Sequence, residues 1–198
     1  MGLLTVIAAG TAAYFVYRQI IVFRNSERAW LAVYEVEKPN YLWHVVYPSG
    51  IHFMEGMRRE GQLTPDSLEF TYRVVNCGKT PARIVEWSAR FHTVVSEGGL
   101  PDDPQYGELH APAGIDGLVA PGQLFSFTKK FEGEEGRLSL EQVEAVKSGK
   151  LGVWSYTRVV YRDAFGRQHE TRACYAYFFT EGNWGFRTAG PRKYNDYT

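Results

Sequence analysis

The sequence predicts a mainly β protein: an antiparallel β-sandwich of seven to eight strands with one short helix, preceded by an N-terminal transmembrane helix. Three observations carry this expectation. Aromatic residues make up 15% of the 198 residues, with 13 Tyr, 12 Phe and 5 Trp, and aromatic side chains suit a pleated, half-buried surface. Several runs alternate apolar and polar residues with period two, as strands with one buried face do. The N-terminus is apolar without alternation, as a helix in lipid is. Evenly spaced strands with no helix between most of them argue against a parallel α/β sheet and for two packed sheets.

Residues 3–23 read LLTVIAAGTAAYFVYRQIIVF. As a helix this segment is about 31 Å long, close to the hydrocarbon thickness of a bilayer. Arg18 lies near one end, where its stem can snorkel, and Tyr14 and Tyr17 suit an interface. A cleaved signal peptide would have a basic leader and a small-x-small site; here only Met1 and Gly2 precede the apolar run, and Tyr14-Phe-Val-Tyr17 close it. Val6 stands where myristoylation calls for Ser or Thr. A core helix would not be apolar nearly all round at a terminus. Residues 1–23 are therefore expected to be a membrane anchor, 24–28 a polar neck, 29–180 the sandwich and 181–198 a flexible tail. Arg18, Arg24 and Arg28 all flank the anchor on its C-terminal side, which places the following domain in the cytoplasm.

The strands follow in order. Residues 29–36 (AWLAVYEV) form a β-rich run that Lys38-Pro-Asn40 breaks. Residues 41–47 (YLWHVVY) and 51–54 flank the turn Pro48-Ser-Gly50, and 55–66 read as loop. In 68–75, Leu68, Phe70, Tyr72 and Val74 share one face; in 82–95, Val85, Trp87, Ala89 and Phe91 do. These two runs are joined by Asn76-Cys-Gly-Lys-Thr-Pro81, either as an antiparallel pair or as a crossover between facing sheets. Gly78 is expected to supply a positive φ there, and Pro81 fixes φ where the next strand begins. Residues 96–122 form a long Gly- and Pro-rich loop. Phe125, Phe127 and Phe131 share a face of the strand 123–131. Ser139 and Gln142 make a capping box for a helix over 139–148, with Leu140, Val143 and Val146 as its apolar stripe and Gly149 as its stop. The last two strands, 151–162 and 168–179, meet at Asp163-Ala-Phe-Gly166, which fits a type I turn closed by a glycine.

The run Phe70 to Val85 resembles the strand–turn–strand of bacterial immunoglobulin-like domains, with their Asn-x-Gly-x-Thr-Pro-Ala pattern filled by Asn76, Gly78, Thr80, Pro81 and Ala82. Leu118-Val-Ala-Pro-Gly122, Tyr161 to Gly166 and Thr171 to Tyr175 fit the same resemblance. With the anchor and Ser26-Glu-Arg-Ala-Trp30, the chain is similar to bacterial single-pass membrane proteins that carry such a domain. The resemblance implies an immunoglobulin-like sandwich at the bacterial inner membrane and no reaction.

The chemistry-bearing residues are sparse. Lys+Arg and Asp+Glu number 22 each, so no bulk charge draws the chain to nucleic acid. The two cysteines, Cys77 and Cys174, lack CxxC spacing. They read as free structural thiols on a reducing side of the membrane, or as a disulfide if the domain is exported to bind a ligand or surface. His44, His52, His92, His110 and His169 make no helical metal pair. The acidic residues Glu97, Asp102, Asp103, Glu108 and Asp116 match no EF-hand loop. No P-loop, GxGxxG or GxSxG motif is present. No cofactor is expected, and an enzyme would need an unrecognised site in 96–122. Arg187, Arg192 and Lys193 lie among aromatics in the tail, a weak signal for nucleic acid or lipid headgroups. Tyr41, Trp43, Tyr47 and Phe53 form the candidate interaction surface, with a sheet-covering role as the alternative. The expectation is a non-enzymatic, membrane-anchored interaction module whose partners are lipid and another protein.

Overall fold

The computed structural model describes residues 2–36, 67–95, 99–112, 117–132, 139–180 and 183–198. Their elements are α1 (Gly2–Glu27), β1 (Leu31–Val36), β2 (Ser67–Asn76), β3 (Ala82–Val95), β4 (Leu118–Val119), β5 (Leu124–Glu132), α2 (Leu140–Lys147), β6 (Leu151–Arg162), β7 (Gln168–Thr180), β8 (Asn183–Thr188) and β9 (Asp196–Tyr197). The runs 41–47 and 51–54 lie outside the described residues. Every strand pairing is antiparallel. One sheet holds β1-β2-β5; the other holds β4-β3-β6-β7-β8, with β9 also on β7. The connection from β2 to β3 is therefore a crossover between sheets, whereas β6 and β7 form the hairpin that the turn at Asp163 announced.

The core lies between the two sheets because period-two strands present one face each. Phe70, Tyr72, Val74 and Phe127 from the smaller sheet are buried against Trp87, Ala89, Phe91, Val153, Val159, Tyr161, Ala173, Tyr175 and Tyr177 from the larger. Trp87 and Phe127 have ring centroids 4.3 Å apart, and Phe70 and Phe91 5.6 Å. Burying each such side chain stabilises by roughly 1.5–3 kcal/mol. Hydroxyls also cross the gap. Tyr72 OH bonds Ser155 Oγ, Thr171 Oγ1 donates to the Leu31 carbonyl at 2.6 Å, and Tyr175 OH donates to the Val33 carbonyl at 3.0 Å. The last two occupy the outer edge of β1, which would otherwise present unpaired carbonyls. Burial holds the Tyr72 and Tyr175 hydroxyls protonated, well above the usual phenol range.

The alternation expected in β3 contains one step. Val85, expected on the inner face with Trp87, is 37% exposed, and Ile84 is buried instead. The register with β6 shifts between Ile84 and Glu86. A bulge adds one residue, so the inward set changes parity at that point.

Two further expectations are corrected. The segment 181–198, read as a flexible tail, supplies β8 and β9 and a 3-10 turn at Arg192–Tyr194. It packs on the outer face of the larger sheet, where Tyr156, Cys174 and Tyr194 form a second buried cluster with Leu100, Tyr106 and Trp154. Tyr194 OH donates to the Pro101 carbonyl at 2.7 Å, and the Asn195 amide joins Cys174 N–H to the Ala189 carbonyl. The described part of the long loop covers the same face, so β6 is buried on both sides.

The second correction concerns the N-terminus. α1 is 26 residues long and runs to Glu27, so most of the expected neck is its last turn. Among the described residues, no helix is long and apolar enough to cross a membrane. Arg18, Gln19, Arg24 and Glu27 interrupt its apolar character, and the expected transmembrane span is not supported. The short helix α2 matches its expected capping box: Gln142 N–H donates to Ser139 Oγ at 3.1 Å and Ser139 N–H to Gln142 Oε1 at 2.8 Å.

Because Tyr194 is fully buried, Tyr194→Ala is expected to cost about 3–5 kcal/mol in urea unfolding. A frayed tail would give a change under about 0.5 kcal/mol.

Candidate functional site

Polar groups converge where α1 meets the sandwich. The crossover 76–81, the turn 120–123 and residues 28–30 come together there, and Asn76 joins them. Its side chain is fully buried, and all four of its hydrogen-bonding positions are used. Oδ1 accepts from Gly78 N–H at 3.0 Å and, at a longer 3.4 Å, from Trp30 N–H. Nδ2 donates to the carbonyls of Thr80 and Val119, both at 2.9 Å. The Asn76 carbonyl accepts from Gly122 N–H at 2.8 Å, and Cys77 N–H donates to the Trp30 carbonyl at 2.7 Å. An aspartate would lack the two donors, and an alanine would strand the buried backbone groups.

Gly78 serves this junction differently from the sequence expectation. It is not among the glycines with positive φ. A Cβ there would lie 2.4 Å from the Arg28 carbonyl oxygen and 2.5 Å from Trp30 N. Glycine is needed because the backbone after α1 passes too close for any side chain.

The last turns of α1 touch two connections of the sandwich. Lys79 Nζ pairs with Glu27 Oε1 at 2.9 Å from the crossover, an exposed pair that adds little stability. From the hairpin tip, Arg167 donates to Asn25 Oδ1 at 3.3 Å, and the Arg24 guanidinium stands 5.8 Å from the Phe165 ring. The Arg28 guanidinium lies 3.6 Å over the Trp30 ring. Each is a cation over or beside a group that orients it.

Asp163 fixes that tip. Its Oδ1 accepts from Phe165 N–H and Arg167 N–H, both at 2.9 Å, and Oδ2 bonds His169 Nε2 at 2.9 Å. Gly166, at φ +79°, closes the turn as expected. Burial pushes the Asp163 carboxyl pKa up, but the bonds from His169, Arg167 and Phe165 outweigh it and hold the value below the usual carboxylate range.

The residues singled out in the sequence fall into separate places. Tyr41, Trp43, Tyr47, Phe53, His44 and His52 lie outside the described residues, as do Glu97 and Asp116. Cys77 is exposed and Cys174 buried, both as free thiols, and burial pushes the Cys174 thiol up to about 12, which makes it inert. Asp102 pairs with Lys193, and Asp103 accepts from Gln105. His110 accepts from Lys129 Nζ at 2.8 Å and packs on Trp87. His92 is half-buried, and desolvation with nearby Arg90 lowers its pKa. Among the described residues, no group of three His, Cys, Asp or Glu side chains could hold a metal ion. Sequence reasoning missed the Asp163–His169 pair, although an Asp at a hairpin turn with a His six residues on, across the ladder, carries the signal. No family model matches the chain, and no curated protein matches it either.

The depressed Asp163 pKa makes stability depend on pH. Its contribution is fully present above the unfolded value of 3.8 and is lost as pH falls through the lower folded value. Urea midpoints are expected to drop below about pH 4, and Asp163→Asn to flatten that drop while costing about 1–3 kcal/mol at neutral pH.

Proposed function

We propose that this chain is a non-enzymatic interaction module attached to a membrane through α1, with an immunoglobulin-like sandwich on the cytoplasmic side of a bacterial inner membrane. One observation carries the reading. The consecutive residues Tyr14, Phe15, Val16 and Tyr17 are 57%, 60%, 54% and 61% exposed. Successive helical positions point about 100° apart, so these four side chains project in different directions around the helix. Ile20, Val22 and Phe23 are exposed as well. An apolar helix bare on every side needs an apolar surrounding, and lipid supplies it. Insertion of the apolar part of α1 that carries these side chains meets that need without the helix crossing from one side to the other.

The buried polar side chains of Asn76, Ser155, Thr157, Asp163 and Thr171 are occupied by hydrogen bonds that hold strands and turns together. The Asn-x-Gly-x-Thr-Pro-Ala pattern favours the immunoglobulin-like reading, and Arg18, Arg24 and Arg28 favour the cytoplasmic side. Tyr41, Trp43, Tyr47 and Phe53 are the proposed contact surface for a protein partner. The test is fractionation of bacteria expressing either the full chain or residues 24–198. The full chain is expected in the membrane pellet and the shortened one in the supernatant. A full chain in the soluble fraction would refute the attachment.

A further inference from the structure

The end of the sandwich around α1 carries a concentration of cations that the chain as a whole does not. Over 198 residues the charges cancel. Among the described residues, Arg24, Arg28, Lys79 and Arg167 stand around the last two turns of α1, against Glu27. Asp163, the other acid there, is buried in its bonds to His169 and the turn. Arg24, Lys79 and Arg167 are exposed.

These cations come from three separate elements. Arg24 and Arg28 belong to α1 and the residues after it, Lys79 to the crossover, and Arg167 to the tip of the β6–β7 hairpin. The fold brings them to one end. Two exposed aromatic rings lie among them: Trp30 beneath the Arg28 guanidinium and Phe165 beside Arg24. The Trp30 indole is amphipathic and suits a headgroup layer, and the Phe165 ring beside Arg24 is an apolar face that such a layer can cover. The junction also fixes this end to the helix through Lys79–Glu27 and Arg167–Asn25. If the apolar body of α1 enters lipid, the basic end meets the surface.

We infer that this end of the sandwich is a docking face for anionic lipid headgroups, with Arg24, Lys79 and Arg167 supplying the charge and Trp30 and Phe165 the interfacial rings. The inference rests on the membrane attachment proposed above and adds the class of lipid. Clustered cations at a surface attract anionic lipid electrostatically, and the attraction is screened by salt.

Flotation of the full chain with vesicles tests it. One set is pure phosphatidylcholine; the other has part of it replaced by phosphatidylglycerol. The full chain is expected to bind both sets, with a preference for the anionic one that fades in high salt. Lys79→Gln and Arg167→Gln are each expected to reduce that preference roughly fivefold, leaving binding to neutral vesicles unchanged. Equal binding of the two vesicle types, or variants that keep the full preference, would overturn the docking face while leaving the attachment standing. Binding to neither vesicle would refute the attachment itself and the docking face with it.

Discussion

The buried amide of Asn76 is the constraint on which the rest of this structure depends. It sits at the end of β2, where the chain must leave one sheet and start the other. A crossover of this kind leaves backbone groups without ladder partners, and buried groups of that sort are costly. Asn76 satisfies them from one side chain: it accepts from the crossover at Gly78 and donates to Thr80 and to Val119 of β4. Its backbone holds the turn before β5 through Gly122 and Gln123. Gly78 then permits the backbone of 28–30 to pass against the crossover. The relative placement of α1, β1, the crossover and the β4–β5 turn follows from this one residue and its neighbour.

The two sheets are held by aromatic packing, but their alignment is fixed by hydroxyls. Thr171 and Tyr175 reach the carbonyls of Leu31 and Val33. The contacts stand two residues apart on β1, as the strand period requires. Slipping β1 by one residue would turn those carbonyls away and expose its apolar face. The larger sheet is different, because its outer face is also covered. The loop 99–112 and the C-terminal segment close over Tyr156 and Cys174, so the central strands have the burial of a three-layered core.

Much of this was legible in the sequence because strand periodicity is a local property. Phe70, Tyr72 and Val74 point inward as their spacing says, the β6–β7 turn follows from Asp163 and Gly166, and α2 from Ser139 and Gln142. Most of the misses share a cause: they depend on a neighbour distant in sequence. Val85 changed face because β3 bulges against β6. Gly78 was assigned a backbone conformation, whereas its role is set by Arg28 and Trp30, which approach from α1. The last residues are polar and Gly-rich, and only their partners on β7 and in the loop make them part of the core. Hydropathy of residues 3–23 suggested a span, but Arg18 and Gln19 divide it and the helix continues into charged residues. At the junction, Asn76 is legible in the sequence only as one position of the Asn-x-Gly-x-Thr-Pro-Ala pattern; that its amide joins the crossover to Trp30 and Val119 depends on the fold.

If Asn76 organises the fold, the junction is as rigid as the core, although its groups lie in connections between strands. Residue-resolved amide hydrogen exchange measures this directly. The N–H groups of Cys77, Gly78 and Gly122, bonded to Trp30, Asn76 and Asn76 respectively, are expected to exchange only through global unfolding, with protection equal to that of the β6 amides. Exchange of these three at open-loop rates, while β6 remains protected, would contradict the claim that Asn76 organises the fold.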